Sequence, residues 1–310
     1  MTRKLPARLL RLLLLLAVLL AAVEVLVVFT ILTNHKRGDQ PAPNSLVAQA
    51  LAAGGLERVE FYSADGTVLR GDLMGDLAAD PVVVYGHGYR DRRRSGDHFA
   101  RTLLASGYAV FLFDFRGSGA SDGAFTGAGA IEGPDVAAAL RYLESSRKVP
   151  PARTAYVGFS MGAAAGLLSR GALSRLSAVV LIAPYARLDE TFEARTLRFA
   201  QSRLRPWFSP ALWIFQQVLS VEVGTINPCE HAAEIAPAPL LLIGGADDWR
   251  APRSDLERIF RNAREPKRLV LLEGTGHIDL LRMGPPVMEP VMKFLGERLL
   301  AGSASLDRHR

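Results

Sequence analysis

From about residue 57 onward, short apolar runs rich in β-branched residues alternate with stretches of helical periodicity. The runs are Val82-Val-Val-Tyr85, Ala109-Val-Phe-Leu-Phe113, Thr154-Ala-Tyr-Val-Gly-Phe159, Ala178-Val-Val-Leu-Ile182, Leu240-Leu-Leu-Ile243 and Leu269-Val-Leu-Leu272. Strands buried on both faces read as continuous apolar runs, and the helical patterns near 95–105, 134–147, 161–173, 253–263 and 286–300 supply the crossovers. This is the signature of βαβ units and a mainly parallel sheet. Ahead of it, Arg58-Val-Glu-Phe-Tyr62 and Val68-Leu-Arg-Gly-Asp-Leu73 flank Ala64-Asp-Gly66 and predict a hairpin. Only 184–228 breaks the rhythm. With Phe199, Trp207, Phe208, Trp213 and Phe215 among several arginines, it reads as a helical insertion.

A different pattern occupies the start of the chain. Leu12 to Thr33 holds sixteen Leu, Val, Ile or Phe residues and a single charge, Glu24. At 1.5 Å per residue the run is long enough to cross a hydrocarbon core of about 30 Å. Its apolar side chains outweigh one central acid, which costs about 2.5–3.5 kcal/mol, so Glu24 reads as a tolerated charge. A cleaved signal peptide fits less well, because the nearest Ala-x-Ala, Ala48-Gln-Ala50, lies far beyond the run. Arg3, Lys4, Arg8 and Arg11 precede it and Lys36 and Arg37 follow. That asymmetry predicts a single-pass membrane protein with a cytoplasmic N-terminus and its main domain on the non-cytoplasmic side. The expected organisation is a basic segment 1–11, a transmembrane helix 12–33, a Pro-punctuated stalk 34–56, an α/β domain 57–300 with its insertion at 184–228, and a tail 301–310.

Composition sharpens this only slightly. The chain has 310 residues, 49% of them apolar, and a formal charge of +6. Its basic residues are scattered without interleaved aromatics, which argues against a nucleic-acid partner. The lone Cys229 excludes an intrachain disulfide, and no His/Cys/acid cluster has metal spacing.

The chemistry concentrates at Gly158-Phe-Ser160-Met-Gly162, a G-x-S-x-G run between a strand pattern and the small-residue helix that opens at Met161. That spacing suits a sharp strand-to-helix turn that exposes a serine hydroxyl. Gly119-Ala-Ser121-Asp-Gly123 fits the same expression, yet it sits in a Gly/Ser/Asp cluster with no helix pattern behind it, so Ser121 reads as a loop serine. A serine nucleophile needs a base and the base an orienting acid. His277, in the Gly-rich Gly274-Thr-Gly-His277 after a strand, is the candidate base; His231 lies in a helical run and His309 in the tail. Gly244-Gly-Ala-Asp247-Asp248 follows another strand, and its spacing from Gly245 and to Pro252 favours Asp248 as the acid, with Asp247 as the alternative. Oxyanion donors are expected at the N–H groups of Met161 and of Tyr89, in Gly86-His87-Gly88-Tyr89, where His87 orders the loop. Arg90, Arg92, Arg93 and Arg94 follow directly and read as a solvated basic loop, with attraction of an anionic substrate or lipid head group as the alternative.

Taken together, His87-Gly88-Tyr89, Asp114-Phe-Arg-Gly-Ser-Gly-Ala-Ser-Asp-Gly123, Gly158-Phe-Ser160-Met-Gly162, Gly245-Ala-Asp-Asp248 and Gly274-Thr-Gly-His277 resemble the α/β-hydrolase superfamily, in its membrane-anchored serine-hydrolase form. The resemblance implies a sheet of about eight strands, a cap inserted after the sixth strand, and hydrolysis of esters, thioesters or amides without metal or organic cofactor. A carboxylic ester with a small-molecule or lipid-like acyl group is the favoured substrate. A thioesterase, a peptidase and a non-catalytic membrane-tethered binding protein are the alternatives.

Overall fold

The computed structural model describes residues 7–33, 49, 55–199 and 209–300. The proposed stalk apart from residues 49, 55 and 56, the tail with His309, the side chain of Glu24, and Trp207 and Phe208 lie outside the described residues.

Among the described residues eight strands form one sheet: β1 (Leu56–Tyr62), β2 (Val68–Met74), β3 (Val82–Gly86), β4 (Ala109–Asp114), β5 (Thr154–Phe159), β6 (Ala178–Ile182), β7 (Leu240–Gly245) and β8 (Lys267–Leu272). Their spatial order is β1-β2-β4-β3-β5-β6-β7-β8. The hairpin β1–β2 and the β2–β4 pair are antiparallel, and every later pair is parallel. The expected hairpin and parallel sheet are therefore present. Central strands β3 to β7 are buried along their whole length. Alternate residues serve two cores, so that Val82 and Val84 pack with Phe111, Phe113 and Tyr156, whereas Val83 and Tyr85 pack with Val110, Leu112 and Val157. The edges differ. On β1 only Val59 and Phe61 are buried while Glu57, Arg58, Glu60 and Tyr62 are exposed, the alternation of a strand with one wet face.

Helices α2 (Asp97–Ala105), α3 (Gly133–Ser146), α4 (Met161–Leu167), α7 (Arg253–Asn262), α8 (His277–Leu281) and α9 (Pro285–Leu295) flank the sheet. The helix behind Ser160 is shorter than the pattern up to residue 173 predicts. It stops at Leu167, and Arg170 and Gly171 turn through left-handed backbone at φ 53° and 74°. Between β6 and β7 the insertion forms α5 (Leu188–Phe199), α6 (Ser209–Leu219) and short 3₁₀ turns. The N-terminal segment is one continuous helix, α1 (Ala7–Leu32). Val28 of α1 is buried in a cluster with Ala128, Ala164, Tyr185, Leu188, Phe215 and Val223, so this helix rests on α6 and the insertion. Counting only described residues, no helix is long and apolar enough to cross a membrane.

One expectation fails outright. Arg93 and Arg94 do not form a solvated loop: Arg93 is 2% exposed, bonds Asp72 through Nε at 2.8 Å, and pairs with Asp114 as well. Arg94 also reaches Asp72, at 2.9 Å. Two buried carboxylates from neighbouring strands demand cationic partners, and the turn after β3 delivers them.

Candidate active site

Sharp geometry at Ser160 follows from its neighbours. The chain leaves β5 and enters α4 with Ser160 at φ 50° and ψ −110°, a strained backbone for a residue that is not glycine. Such strain of about 1–3 kcal/mol persists only where surroundings over-determine it. Here they do. The Ser160 N–H donates to Ile182 O at 2.8 Å. A Cβ at Gly158 would lie 2.8 Å from the Ala163 backbone, and one at Gly162 only 2.2 Å from Gly86 O. The glycines two residues either side of the serine thus permit the turn and let the start of α4 sit directly on the end of β3.

The parallel ladder carries the other groups to the same edge. Beyond the strands, Ala183 N–H bonds Ile243 O, Ala246 N–H bonds Leu272 O and Asp247 N–H bonds Thr275 O. This brings the β7–α7 loop beside the loop after β8, and His277 opens α8 facing the serine. His277 Nε2 lies 3.0 Å from Ser160 Oγ, and its Nδ1 lies 2.6 Å from Asp248 Oδ2. The other carboxylate oxygen of Asp248 accepts the N–H groups of Arg250 at 2.8 Å and Ala251 at 3.1 Å. Asp248 is 3% exposed and its orientation is held by both oxygens. Asp247 points away into solvent. Phe159 packs its ring against that of His277, centroids 5.1 Å apart, which restricts the imidazole from the other side.

The loop after β3 closes the site. Buried His87 donates from Nδ1 to Gly88 O at 2.8 Å and accepts the Phe115 N–H at Nε2, 3.2 Å away. One neutral tautomer satisfies both bonds, and it ties the β3 loop to the end of β4. A Cβ at Gly88 would come within 2.9 Å of Phe159, so the loop lies in contact with the elbow. Met161 begins α4, where the first N–H groups have no acceptor within the helix. Tyr89 and Ser160 line the same cavity.

The chain as a whole is similar to known proteins. A family model described as serine aminopeptidase, S33, matches residues 78–228. The uncharacterized protein Rv2307c of Mycobacterium tuberculosis is 30% identical over 224 residues, covering 72% of both chains. The thiohydrolase apmlB of Arthrinium phaeospermum is 34% identical over a shorter stretch, 44% of this chain and 46% of that one. Among solved structures, the Pyrococcus furiosus esterase Pf2001 superposes with a TM-score of 0.66 at 24% identity, covering 86% of this chain and 98% of that one. The chain belongs to the α/β-hydrolase superfamily. Its mostly parallel eight-stranded sheet flanked by helices is that fold, and the protein is a hydrolase.

In this hydrolase a supporting layer that no motif announces lies beside the elbow. Glu132 is fully buried, yet its carboxylate accepts Thr126 Oγ1 at 2.7 Å and the N–H groups of Gly127, Gly129 and Ile131. Burial pushes its pKa up, and the bonds from Thr126 and Gly127 hold it back. Thr126 Oγ1 lies 3.5 Å from Met161 Sδ, so this turn braces the start of α4. No short motif marks Glu132; only the Gly-rich run 127–133 hints at an ordered turn. Asp114 was visible as part of Asp114-Phe-Arg-Gly-Ser-Gly119, but its role in binding Arg93 and the Ala120 N–H depends on the fold.

A cavity of about 370 Å³ opens over Ser160 and His277, walled by Phe159, Trp249, Ile278 and Leu281 on its apolar side. Among the described residues no group of three or more His, Cys, Asp or Glu could hold a metal ion.

Proposed function

We propose that this hydrolase cleaves carboxylic esters through an acyl-enzyme on Ser160. The observation that carries the reading is the unbroken line Asp248–His277–Ser160 at 2.6 and 3.0 Å beneath an open cavity. His277 Nε2 takes the hydroxyl proton as Ser160 Oγ attacks the ester carbonyl. Asp248 holds Nδ1–H and balances the imidazolium that forms. The Tyr89 and Met161 N–H groups receive the oxyanion, a contribution on the order of 10²–10³ in rate per donor. His277 then protonates the leaving alcohol, and water releases the acid by the same route in reverse.

A fluorophosphonate probe should label the wild-type protein at Ser160 and leave Ser160→Ala unlabelled. Equal labelling of both removes Ser160 from the mechanism, and no labelling of either favours a binding protein. Thioester cleavage is the second reading, supported by the likeness to a thiohydrolase; a peptidase is suggested by the family description alone. Turnover of matched esters, thioesters and peptides ranks the three.

The anchor belongs to the same proposal. A helix of 26 residues spans about 39 Å, and between Leu15 and Phe29 its described exposed side chains, among them Leu15, Val18, Leu26 and Phe29, are all apolar. The span itself is read from the sequence of 12–33, and it requires the contact of Val28 with the insertion to open when the helix enters the bilayer. With basic residues ahead of α1, the catalytic domain is assigned to the non-cytoplasmic side. The full chain should stay with membranes through alkaline extraction, whereas a chain starting near residue 40 should be released.

A further inference from the structure

The basic run after β3 divides by function. Arg93 and Arg94 turn into the protein and are matched by Asp72 and Asp114, but Arg90 faces the cavity over Ser160. On the β7–α7 loop, Arg250 lines the same cavity. Two arginines therefore line the cavity that holds the serine, one directly after Tyr89, the proposed oxyanion donor, and one two residues after Asp248.

Their backbone and packing distinguish them from the ion-paired arginines. Gly88 O accepts the Asp91 N–H at 3.3 Å, which makes Gly88 to Asp91 a tight turn with Arg90 at its third position and φ 60°. Glycine or asparagine is the ordinary occupant of such a position, and an arginine there carries strain. Arg250 lays its guanidinium over the Trp249 ring, 4.9 Å from the centroid. Arg116 and Arg258 are ion-paired, whereas among the described residues neither Arg90 nor Arg250 forms an ion pair. One carboxylate, Asp91, shares the cavity wall, but its Oδ1 already accepts the Arg92 N–H at 2.9 Å. Asp248 is committed to His277. With two arginines against the single Asp91 carboxylate, the lining carries net positive charge alongside the apolar Trp249, Ile278 and Leu281.

Building on the ester-hydrolase reading above, we propose that Arg90 and Arg250 select an ester carrying an anionic group, a carboxylate or phosphate, on a chain otherwise apolar. The anion sits between the two guanidinium groups while the apolar part lies on Trp249 and Leu281 and the ester carbonyl reaches Ser160. Guanidinium is suited to this because its planar fork binds carboxylate and phosphate with two bonds at once.

The test compares matched pairs with the full-length protein in detergent. 4-Nitrophenyl hemiglutarate against 4-nitrophenyl valerate places the charge on the acyl side, and 4-acetoxybenzoate against its methyl ester places it on the leaving group. Phosphatidylglycerol against phosphatidylcholine in mixed micelles presents the anion as a lipid head group. We expect kcat/KM to favour the anionic member of at least one pair by about tenfold, equivalent to ~1.4 kcal/mol. Preference in the soluble pairs assigns a soluble hemiester, and preference in the lipid pair alone assigns a head group. Arg90→Gln and Arg250→Gln should each reduce the ratio about threefold or more, Arg90→Lys should restore part of it, and raising salt should shrink it in wild type. A merely structural role for either arginine would lower both members of a pair together and leave the ratio and its salt dependence unchanged. Turnover dependent on Ser160 with no anionic preference in any pair overturns the proposal and leaves the ester-hydrolase reading standing. No turnover of any ester removes that reading, and this proposal with it.

Discussion

Two stretches of this chain, Gly158-Phe-Ser160-Met-Gly162 and Gly119-Ala-Ser121-Asp-Gly123, share one pattern and are put to opposite uses. Ser121 is 1% exposed and both valences of its hydroxyl are taken by backbone: Oγ donates to Asp114 O at 2.6 Å and accepts the Arg70 N–H at 2.9 Å. It bolts the loop after β4 to β2. Ser160 is also largely buried, but its hydroxyl meets an imidazole held by a carboxylate, beneath an open cavity. The glycines differ in the same way. A Cβ at Gly162 would strike the end of β3, whereas one at Gly119 would strike the Asp114 carboxylate that holds Arg93. A motif states which backbone turns are possible. What the serine does there depends on which groups from distant strands arrive at its oxygen.

The contrast can be broken most severely at the acid. Asp248→Asn should lower kcat/KM on a 4-nitrophenyl ester by on the order of 10³–10⁴, because an amide that keeps its bonds to the Arg250 and Ala251 N–H groups presents its donor to Nδ1 and imposes the wrong tautomer. Asp247→Asn, one residue away and exposed, should stay within about threefold, a difference well above the scatter of surface substitutions. Equal losses in the two variants would dissolve the distinction.

The next effect is one of stability. Ser121→Ala strands the Arg70 N–H and loses the bond to Asp114 O, which should cost about 1–3 kcal/mol in denaturant unfolding. Activity per folded molecule should remain close to wild type. A Ser121→Ala protein of full stability but no activity would assign Ser121 a chemical role and erase the comparison.

The smallest effect concerns the ground beneath the acid loop. Burial raises the Asp255 pKa to about 6, against the Ala186 N–H bond and Arg258, which pull it down. A raised carboxyl pKa means that the folded state holds the proton longer than the unfolded chain does. Stability on this account is greatest below about pH 4 and falls as pH rises to about 6. Asp255→Asn should therefore gain on wild type between those pH values, by about 1–2 kcal/mol in unfolding midpoints converted to free energy. A constant difference across that range would show that Asp255 titrates like an ordinary surface acid.

Much of this could be read from residue order because its causes are local. A run such as Val82-Val-Val-Tyr85 has no polar face to offer water, so it becomes a strand covered on both sides wherever it lies. Gly158 and Gly162 permit a turn that few other residues tolerate, and the Gly-rich Gly274-Thr-Gly276 ends β8 just before His277. The choice between Asp247 and Asp248 was less visible: adjacent side chains on one loop diverge, and the bonds from the Arg250 and Ala251 N–H groups to Asp248, with that from the Asp247 N–H to Thr275 O, decide which turns inward. Arg90 to Arg94 show the limit most clearly. Four arginines in five positions look alike in sequence, and the fold buries Arg93 against two carboxylates while leaving Arg90 at the cavity.

By itself, then, the order of residues determined the strand succession, the hairpin, the insertion between β6 and β7, and the serine and histidine that face each other. Each follows from burial periodicity or from backbone freedom within a few residues. Tertiary structure alone decided which arginines are neutralised, how Glu132 braces the start of α4, and that Val28 of the first helix packs into the insertion, and it fixed the choice of Asp248 that loop spacing only favoured. These are pairings between groups far apart along the chain, and their energies depend on a burial that exists only once the sheet has assembled.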